Sequence, residues 1–228
     1  MKTALDKILL SNNVVEEFFN HYNNNEFQKW LLNILPEIEE CKNLKQDNPW
    51  HIYNCLDHIL HSVENINKQT ESLDNNTRKM LAYVMFLHDI GKPECFIRRY
   101  SKLYGREVDS FFNHNLAGVK IADRVLEEFG FDKTQQEIMK LLIQEHDIFM
   151  FIKMEDTGNK YHMVLSADLI EEYIEKYNIV GNGEEILNYL VMVGRADSLA
   201  QNPAMTQESL KLHDKMQEML FAKKSNNI

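Results

Sequence analysis

The sequence predicts an all-α fold. Apolar residues recur at intervals of three, four and seven positions in almost every segment, which is the spacing of one helix face. Eight glycines and four prolines in 228 residues are too few for a turn-rich β protein. The one candidate strand, at residues 148–153, is weak. We expect a single domain over residues 1–228, with a core motif region at residues 50–200 and an accessory helical layer at residues 1–45.

The N-terminal part of the chain is expected to be helical. Helical spacing covers residues 5–19 and residues 30–35, where Pro36 interrupts the pattern. Apolar positions between residues 52 and 66 form one face of a further helix.

The middle of the chain combines a buried helix with an irregular segment. Asp74 is a suitable N-cap for a helix that runs toward His88, and Gly91 ends it. Residues 92–112 have poor periodicity and three arginines, which predicts a long loop. A long loop in a compact domain more often has a function than serves only as a connection. Helical spacing resumes over residues 116–129.

Helices are also expected in the C-terminal half. Asp132 and Gln135 have the spacing of a capping box, which opens a helix that ends near His146. Three later segments have helical spacing, at residues 162–177, 184–199 and 206–222.

Composition limits the class of function. Hydrophobic residues make up 44% of the chain and charged residues 26%, which excludes a disordered protein. The net charge of −10 disfavours non-specific nucleic-acid binding, although a small phosphorylated substrate remains compatible with a local cation. No apolar run is long enough to span a membrane. The odd set Cys41, Cys55 and Cys95 without a CxxC pair favours a reducing, cytoplasmic location.

The strongest candidate for chemistry is the pair His88-Asp89. It follows an apolar helix and precedes Gly91 and Lys92. Imidazole and carboxylate suit Zn, Mn, Fe or Ni, and a carboxylate can bridge two cations. The alternative is that His88 caps or packs at the helix end. Asp197, near the end of another apolar helix, likewise needs either a cation or a partner such as Arg195.

The ordered set His58, His88-Asp89 and Asp197 resembles the HD-domain superfamily of metal-dependent phosphohydrolases. The local sequence is most similar to the HD region of bacterial tRNA nucleotidyltransferases, on the letters WH at residues 50–51, HDIGKP at residues 88–93 and FFNHNLAG at residues 111–118. No strand-borne Asp-x-Asp signature of a nucleotidyltransferase catalytic domain precedes this match. The resemblance implies an HD-domain helical bundle.

The resemblance also implies a role for each matching residue. The first divalent metal ion would be held by His58, His88, Asp89 and Asp197. His114 and His146 would hold a second ion, with Asp89 as the bridge, and the ions would be drawn from Mn, Ni, Co, Fe, Zn and Mg. Lys92 matches a lysine that approaches a substrate phosphate in several members of the superfamily.

The expected reaction is attack of a metal-activated water on phosphorus. Asp89 and Lys92 are the candidate catalytic residues. The candidate substrate-binding residues, which would neutralise phosphate charge, are Lys92, Arg98, Arg99 and Arg106. For the arginines the alternative is a solvated basic patch.

Other polar side chains have weaker support. Asp147 or Glu145 could donate a proton, and surface placement is the alternative. His51 and His61 lie on about the same helix face as His58 and could support the ligands, or they could be partly exposed. No role is predicted for His21, His162 and His213.

Three functions fit this site. The leading one is a phosphomonoesterase or phosphodiesterase that acts on a nucleotide or a similar small phosphorylated substrate. The second is a diiron oxygenase of the same superfamily, because the same ligands suit iron. The third is a non-catalytic HD sensor that binds a nucleotide. The exact substrate and the oligomeric state are not predicted.

Overall fold

The computed structural model describes residues 1–226, and its architecture is all-α, as predicted. Its helices are α1 (Lys2–Leu9), α2 (Val14–Tyr22), α3 (Asn25–Ile34), α4 (Glu37–Asn43), α5 (Cys55–Gln69), α6 (Asn75–Leu87), α7 (His114–Val125), α8 (Lys133–Glu145), α9 (Ala167–Tyr177), α10 (Gly183–Leu199) and α11 (Pro203–Asn226). Within this part of the chain, no helix combines the length and apolar character that a membrane crossing requires.

The strands are short and lie outside the helical core. Strands β1 (Ile97–Ser101) and β2 (Arg106–Ser110) form an antiparallel hairpin. Strands β3 (Ile152–Lys153) and β4 (Met163–Val164) form a parallel pair of two residues each.

The predicted capping residues begin their helices as expected. The Asp74 side chain accepts hydrogen bonds from two backbone N–H groups in the first turn of α6. Asp132 and Gln135 form the predicted capping box at the start of α8. Each side chain satisfies a backbone group that the helix itself leaves unpaired.

The prediction of a loop at residues 92–112 was wrong, because this segment contains the β1–β2 hairpin. Four of the five β1 residues are exposed, so the segment has no apolar alternation from which a strand could be predicted. The weak strand candidate at residues 148–153 is mostly a 3₁₀ turn over Ile148–Phe151. The helical pattern at residues 162–177 begins only at Ala167, after the N-cap Ser166.

The core is built around α6. Every residue at positions 80–87 is buried, because α5, α8 and α10 pack around this helix. Helices α2 and α4 pack against α5, and α1 packs against α6. The N-terminal helices contribute residues such as Leu5 and Phe18 to the same buried cluster. The single-domain boundary and the accessory layer stay predictions.

Candidate metal centre

The structure brings together the six predicted ligands from five helices. His58 lies in the first turns of α5, and His88 and Asp89 follow the last residue of α6. His114 is the first residue of α7, His146 follows α8, and Asp197 lies in the last turn of α10. The left-handed backbone of Asn113 (φ 64°) starts α7 at His114 rather than at residue 116 as predicted.

The first cluster consists of His58, His88, Asp89 and Asp197. Nε2 of His58 lies 2.9 Å from Oδ1 of Asp197 and 3.1 Å from Oδ2 of Asp89. Nε2 of His88 lies 3.3 Å from Oδ2 of Asp89 and 3.6 Å from Oδ1 of Asp197. All four residues are buried. Two imidazoles and two carboxylates therefore face one small volume.

The second cluster consists of Asp89, His114 and His146. Oδ1 of Asp89 lies 3.1 Å from Nε2 of His114 and 3.8 Å from Nε2 of His146. The two Nε2 atoms are 3.2 Å apart. Each oxygen of Asp89 therefore faces a different cluster, which is the arrangement that a bridging carboxylate needs.

Backbone carbonyl groups orient the four imidazole rings. Each Nδ1 lies within hydrogen-bond distance of one carbonyl: His58 with Ala200 (3.3 Å), His88 with Met85 (2.7 Å), His114 with Phe111 (2.8 Å) and His146 with Ile143 (2.7 Å). A carbonyl oxygen only accepts hydrogen bonds, so Nδ1 carries the hydrogen and a neutral ring has its lone pair on Nε2. All four lone pairs are thus left for the clusters.

The first cluster has unsatisfied polar atoms that fit a metal ion. Among the described residues, Nε2 of His58, Nε2 of His88 and Oδ2 of Asp89 are buried without a hydrogen bond of acceptable geometry. The distances are those of ion pairs, but the angles do not direct a hydrogen at an acceptor. Buried lone pairs that face one another are costly unless a cation lies between them. Nitrogen and oxygen donors of this kind suit a divalent transition metal.

Burial and neighbouring charges shift the pKa values of the first cluster in opposite directions. Burial favours the neutral carboxyl groups, but His88 and Lys92 outweigh it and lower the pKa of Asp89 well below its usual value. His58 and His88 lower the pKa of Asp197 in the same way. Burial also opposes protonation of His88, but Asp89 raises its pKa to about 10. Protons and a metal ion therefore compete for these nitrogens.

Lys92 is buried and directed at Asp89. Its Nζ lies 2.5 Å from Oδ2 of Asp89, donates to Oε1 of Gln46 at 2.9 Å and lies 3.2 Å from Nε2 of His51. The ammonium group thus has two hydrogen-bond partners, Gln46 and His51, besides its ion pair with Asp89. Lys92 is thus the counterion of Asp89 in this structure, and its contact with a substrate phosphate stays a prediction.

The segment before α5 holds Lys92 in place. Nδ1 of His51 lies 2.8 Å from Oδ1 of Asn48, so the His51 lone pair on Nε2 accepts from Lys92. Burial and the charge of Lys92 lower the pKa of His51 well below its usual value, which keeps it a neutral acceptor. Sequence reasoning missed Gln46, because a glutamine 46 positions from Lys92 has no distinctive pattern. Residues 45–47 and 51–54 line a cleft of about 270 Å³.

The three candidate arginines lie on the hairpin, and each already forms hydrogen bonds or ion pairs with nearby side chains. Arg98 binds Asp109 (2.7 Å) and Asp47 (2.9 Å), and Arg106 also binds Asp47 (2.7 Å). Arg99 donates to Ser110 on the neighbouring strand. These contacts tie the hairpin to the segment that carries Gln46, and they do not direct the guanidinium groups at the clusters. Their binding to a phosphate stays a prediction.

The two candidate proton donors differ in position. Oδ2 of Asp147 lies 3.3 Å from Nε2 of His114, and Oδ1 lies 3.4 Å from Nε2 of His146. The Asp147 side chain is 34% exposed. Glu145 instead accepts a hydrogen bond from Lys176. The structure therefore places Asp147, and not Glu145, beside the second cluster.

The remaining histidines lie apart from the ligand atoms. His61 is half-buried, with its ring 4.4 Å from that of Tyr53. Nδ1 of His21 donates to the backbone carbonyl of Glu17 in its own helix, and Nδ1 of His162 pairs with Thr157. His213 is buried against Phe149.

Comparison with known families agrees with this geometry. A family model described as HD domain matches residues 55–202, about two thirds of the chain. The match begins at the first residue of α5 and includes all six residues of the two clusters. It ends just after Asp197, in the short segment that precedes α11.

Proposed function

The chain belongs to the HD-domain family, and from this premise we propose that it is a phosphohydrolase with one or two divalent ions. This family belongs to a superfamily of metal-dependent phosphohydrolases. The observation that carries the proposal is Asp89, whose two oxygens face two different groups of histidine Nε2 atoms.

The proposed ligands follow from the two clusters. His58, His88, Asp89 and Asp197 would hold the first ion, and Asp89, His114 and His146 would hold the second. The ions would be Mn, Ni, Co, Fe, Zn or Mg. A bound divalent ion lowers the pKa of water and polarises a phosphoryl oxygen, which supplies a nucleophile at neutral pH.

The side chains around the clusters have defined tasks in this proposal. Lys92 keeps Asp89 ionised, so that both carboxylate oxygens stay available to a cation. Gln46 and His51 keep the ammonium of Lys92 in place. Backbone carbonyls hold each imidazole with Nε2 toward the ion. The chain thus contributes fixed donors and charge to a site that needs little rearrangement.

The proposed substrate is a small phosphomonoester or phosphodiester, including a nucleotide. The cleft lined by residues 45–47 and 51–54 borders Lys92 through Gln46 and His51, so a small phosphate ester bound there would lie near this ammonium group. The net charge of −10 argues against a long nucleic acid. The cytoplasmic location and the specific similarity to tRNA nucleotidyltransferases stay predictions.

The test is metal-dependent turnover. Purified protein would be stripped with chelator, reloaded with Mn, Ni, Co or Mg, and assayed on bis-p-nitrophenyl phosphate, p-nitrophenyl phosphate and nucleotides. We expect hydrolysis that returns with metal and is lost in Asp89→Ala. Asp168→Ala, at an exposed position in the first turn of α9, is the matched control. Protein that retains no divalent ion and hydrolyses none of these substrates would contradict the proposal.

The diiron oxygenase is the second candidate, because four imidazoles and two carboxylates suit iron as well. Iron content and an iron-dependent absorption band after aerobic handling would identify it. The sensor ranks third, since all six candidate ligands are present in the two clusters. Unaltered nucleotide binding by Asp89→Ala, without hydrolysis by the unsubstituted chain, would favour the sensor.

A further inference from the structure

A second His-Asp pair in the chain repeats the local geometry of the first. His88 and His146 each follow the last residue of a helix, with φ of −57° in both cases. Each Nδ1 pairs at 2.7 Å with the carbonyl three residues earlier. Each histidine is followed by an aspartate, Asp89 in one pair and Asp147 in the other. The two helix ends thus present the same pair of side chains to the centre.

The carboxylate of Asp147 faces both histidines of the second cluster. Its Oδ2 lies 3.3 Å from Nε2 of His114, and its Oδ1 lies 3.4 Å from Nε2 of His146. Asp89 approaches the same two nitrogens through Oδ1. Asp89 and Asp147 therefore each approach both imidazole nitrogens of the second cluster.

Protons alone do not satisfy this arrangement. Both Nδ1 atoms pair with carbonyl oxygens, so neutral rings of His114 and His146 direct lone pairs at each other across 3.2 Å. A proton on Nε2 of His114 can serve only one of its three neighbours, which are Oδ1 of Asp89, Oδ2 of Asp147 and Nε2 of His146. A divalent cation would satisfy all of these donors at once.

We propose that Asp147 is a ligand of the second metal ion, together with Asp89, His114 and His146. The inference rests on the proposed function, since it requires that a second ion binds. With Asp147 included, each ion has two imidazoles and two carboxylates, and Asp89 is shared. Asp147 is the most accessible of the four residues around the second ion, with 34% of its side chain exposed against 2% for Asp89. The ion would therefore enter from this side.

The test compares metal content and affinity in matched variants. Asp147→Ala removes both oxygens, and Asp147→Asn keeps the shape of the side chain if the alanine variant fails to fold. Glu145→Gln is the control, because Glu145 lies two positions earlier and binds Lys176 instead. Each protein would be titrated with Mn²⁺ by calorimetry, and its metal content would be measured after gel filtration. Electron paramagnetic resonance would report whether two manganese ions are coupled.

We expect two ions and a coupled spectrum for the unsubstituted protein and for Glu145→Gln. Asp147→Ala should bind the second ion at least about tenfold more weakly and give the spectrum of isolated manganese. Two ions of unchanged affinity in Asp147→Ala would overturn the inference, whether or not turnover falls, and would leave the proposed function intact. A single ion in the unsubstituted protein would also overturn it. Only a protein that binds no ion at all would remove the proposed function as well.

Discussion

Gly91 lies against the first turn of α7 so closely that a β-carbon at this position would overlap the carbonyl oxygen of His114. The same β-carbon would lie 2.5 Å from the backbone nitrogen of Gly118 and 2.8 Å from Cβ of Ala117. Two of these three atoms belong to the backbone, so a rotamer change cannot relieve the overlap. The absence of a side chain at Gly91 therefore sets the distance between Asp89 and the helix that carries His114.

Substitution of Gly91 should weaken the second metal site more than the first. Gly91→Ala must move α7, which separates His114 from Asp89 and costs about 1–3 kcal/mol of stability. Calorimetric titration with Mn²⁺ and thermal denaturation would measure both effects. Gly181→Ala is the control, because its β-carbon would contact only the ends of two isoleucine side chains. An unchanged affinity for the second ion would contradict this role of Gly91.

Asp89 should be required for both ions. In Asp89→Asn the first cluster loses a charged ligand and the second cluster loses its link to the first, so activity should fall by at least about 100-fold. The increase in melting temperature that Mn²⁺ gives the unsubstituted protein should also disappear, since a ligand stabilises only the state that binds it. Thermal melts with and without metal would show this. A full metal-dependent increase in the variant would exclude Asp89 as the shared ligand.

Lys92 should be more important for the metal-free protein than for the loaded protein. Lys92→Met leaves the buried carboxylate of Asp89 without its ammonium partner, which costs about 3–5 kcal/mol in the absence of a cation. A divalent ion at the cluster would replace the missing positive charge and restore part of this loss. Chemical denaturation with and without Mn²⁺ would measure the difference.

The control for Lys92 is Lys140→Met. Lys140 pairs with Asp123 and Glu137 on the protein surface, so its loss should change stability by less than about 1 kcal/mol. An equal loss of stability in Lys92→Met with and without metal would show that the ion does not replace the ammonium group.

Gln46 should contribute to the stability of the fold through the hydrogen bond that it accepts from Lys92. Gln46→Leu leaves one buried donor of Lys92 without a partner, which costs about 1–3 kcal/mol. Gln46→Glu restores an acceptor and should recover most of this stability. Urea denaturation of the two variants would measure these effects. Equal stability of the leucine variant and the unsubstituted protein would mean that water replaces the amide oxygen.

Stability should fall in mild acid because of His213. Burial lowers the pKa of His213 to about 4, with Asp197, Arg195 and Asp214 contributing opposing charges. The unfolded chain, with a histidine pKa near 6.5, binds more protons than the folded chain between pH 6.5 and 4. The contribution of His213 should therefore be most favourable above pH 6.5, and it should decrease stability by up to about 3 kcal/mol as the pH falls to 4.

His213→Phe tests this origin of the acid sensitivity. The variant keeps an aromatic ring against Phe149 and removes the proton-binding group, so its denaturation profile should be flatter between pH 4 and 6.5. His162→Gln, a change in a loop outside the core, is the control and should keep the original slope. The same slope in His213→Phe would assign the acid sensitivity to another group.

The sequence predicted those helices whose boundaries depend on residues close together in the chain. Helix α6 has eight consecutive buried positions and an N-cap, and α8 has a capping box, so both could be recognised from a few neighbouring residues. The six clustered residues were predicted from the resemblance to the HD-domain superfamily, whose order of histidines and aspartates the chain follows. Their roles as ligands stay predictions.

Other features depend on contacts between distant segments. Strand β1 of the hairpin is mostly exposed, and the hairpin is fixed by ion pairs from Arg98 and Arg106 to Asp47, which no local pattern shows. Two of the three contacts of Lys92 are with Gln46 and His51, more than 40 positions away. Close packing of Gly91 against α7 likewise appears only when the chain is folded.

The carbonyl partners of the four imidazoles have a consequence for how quickly the centre can exchange its ions. Three rings are held by the carbonyl three residues earlier and the His58 ring by the carbonyl of Ala200, so the folded chain already orients all four and capture of an ion requires no further ordering of these side chains. Exchange should then be limited by ligand dissociation at the accessible edge rather than by opening of the bundle. Isotope-labelled histidine would show Nδ1 of each ring protonated both before and after the ion binds.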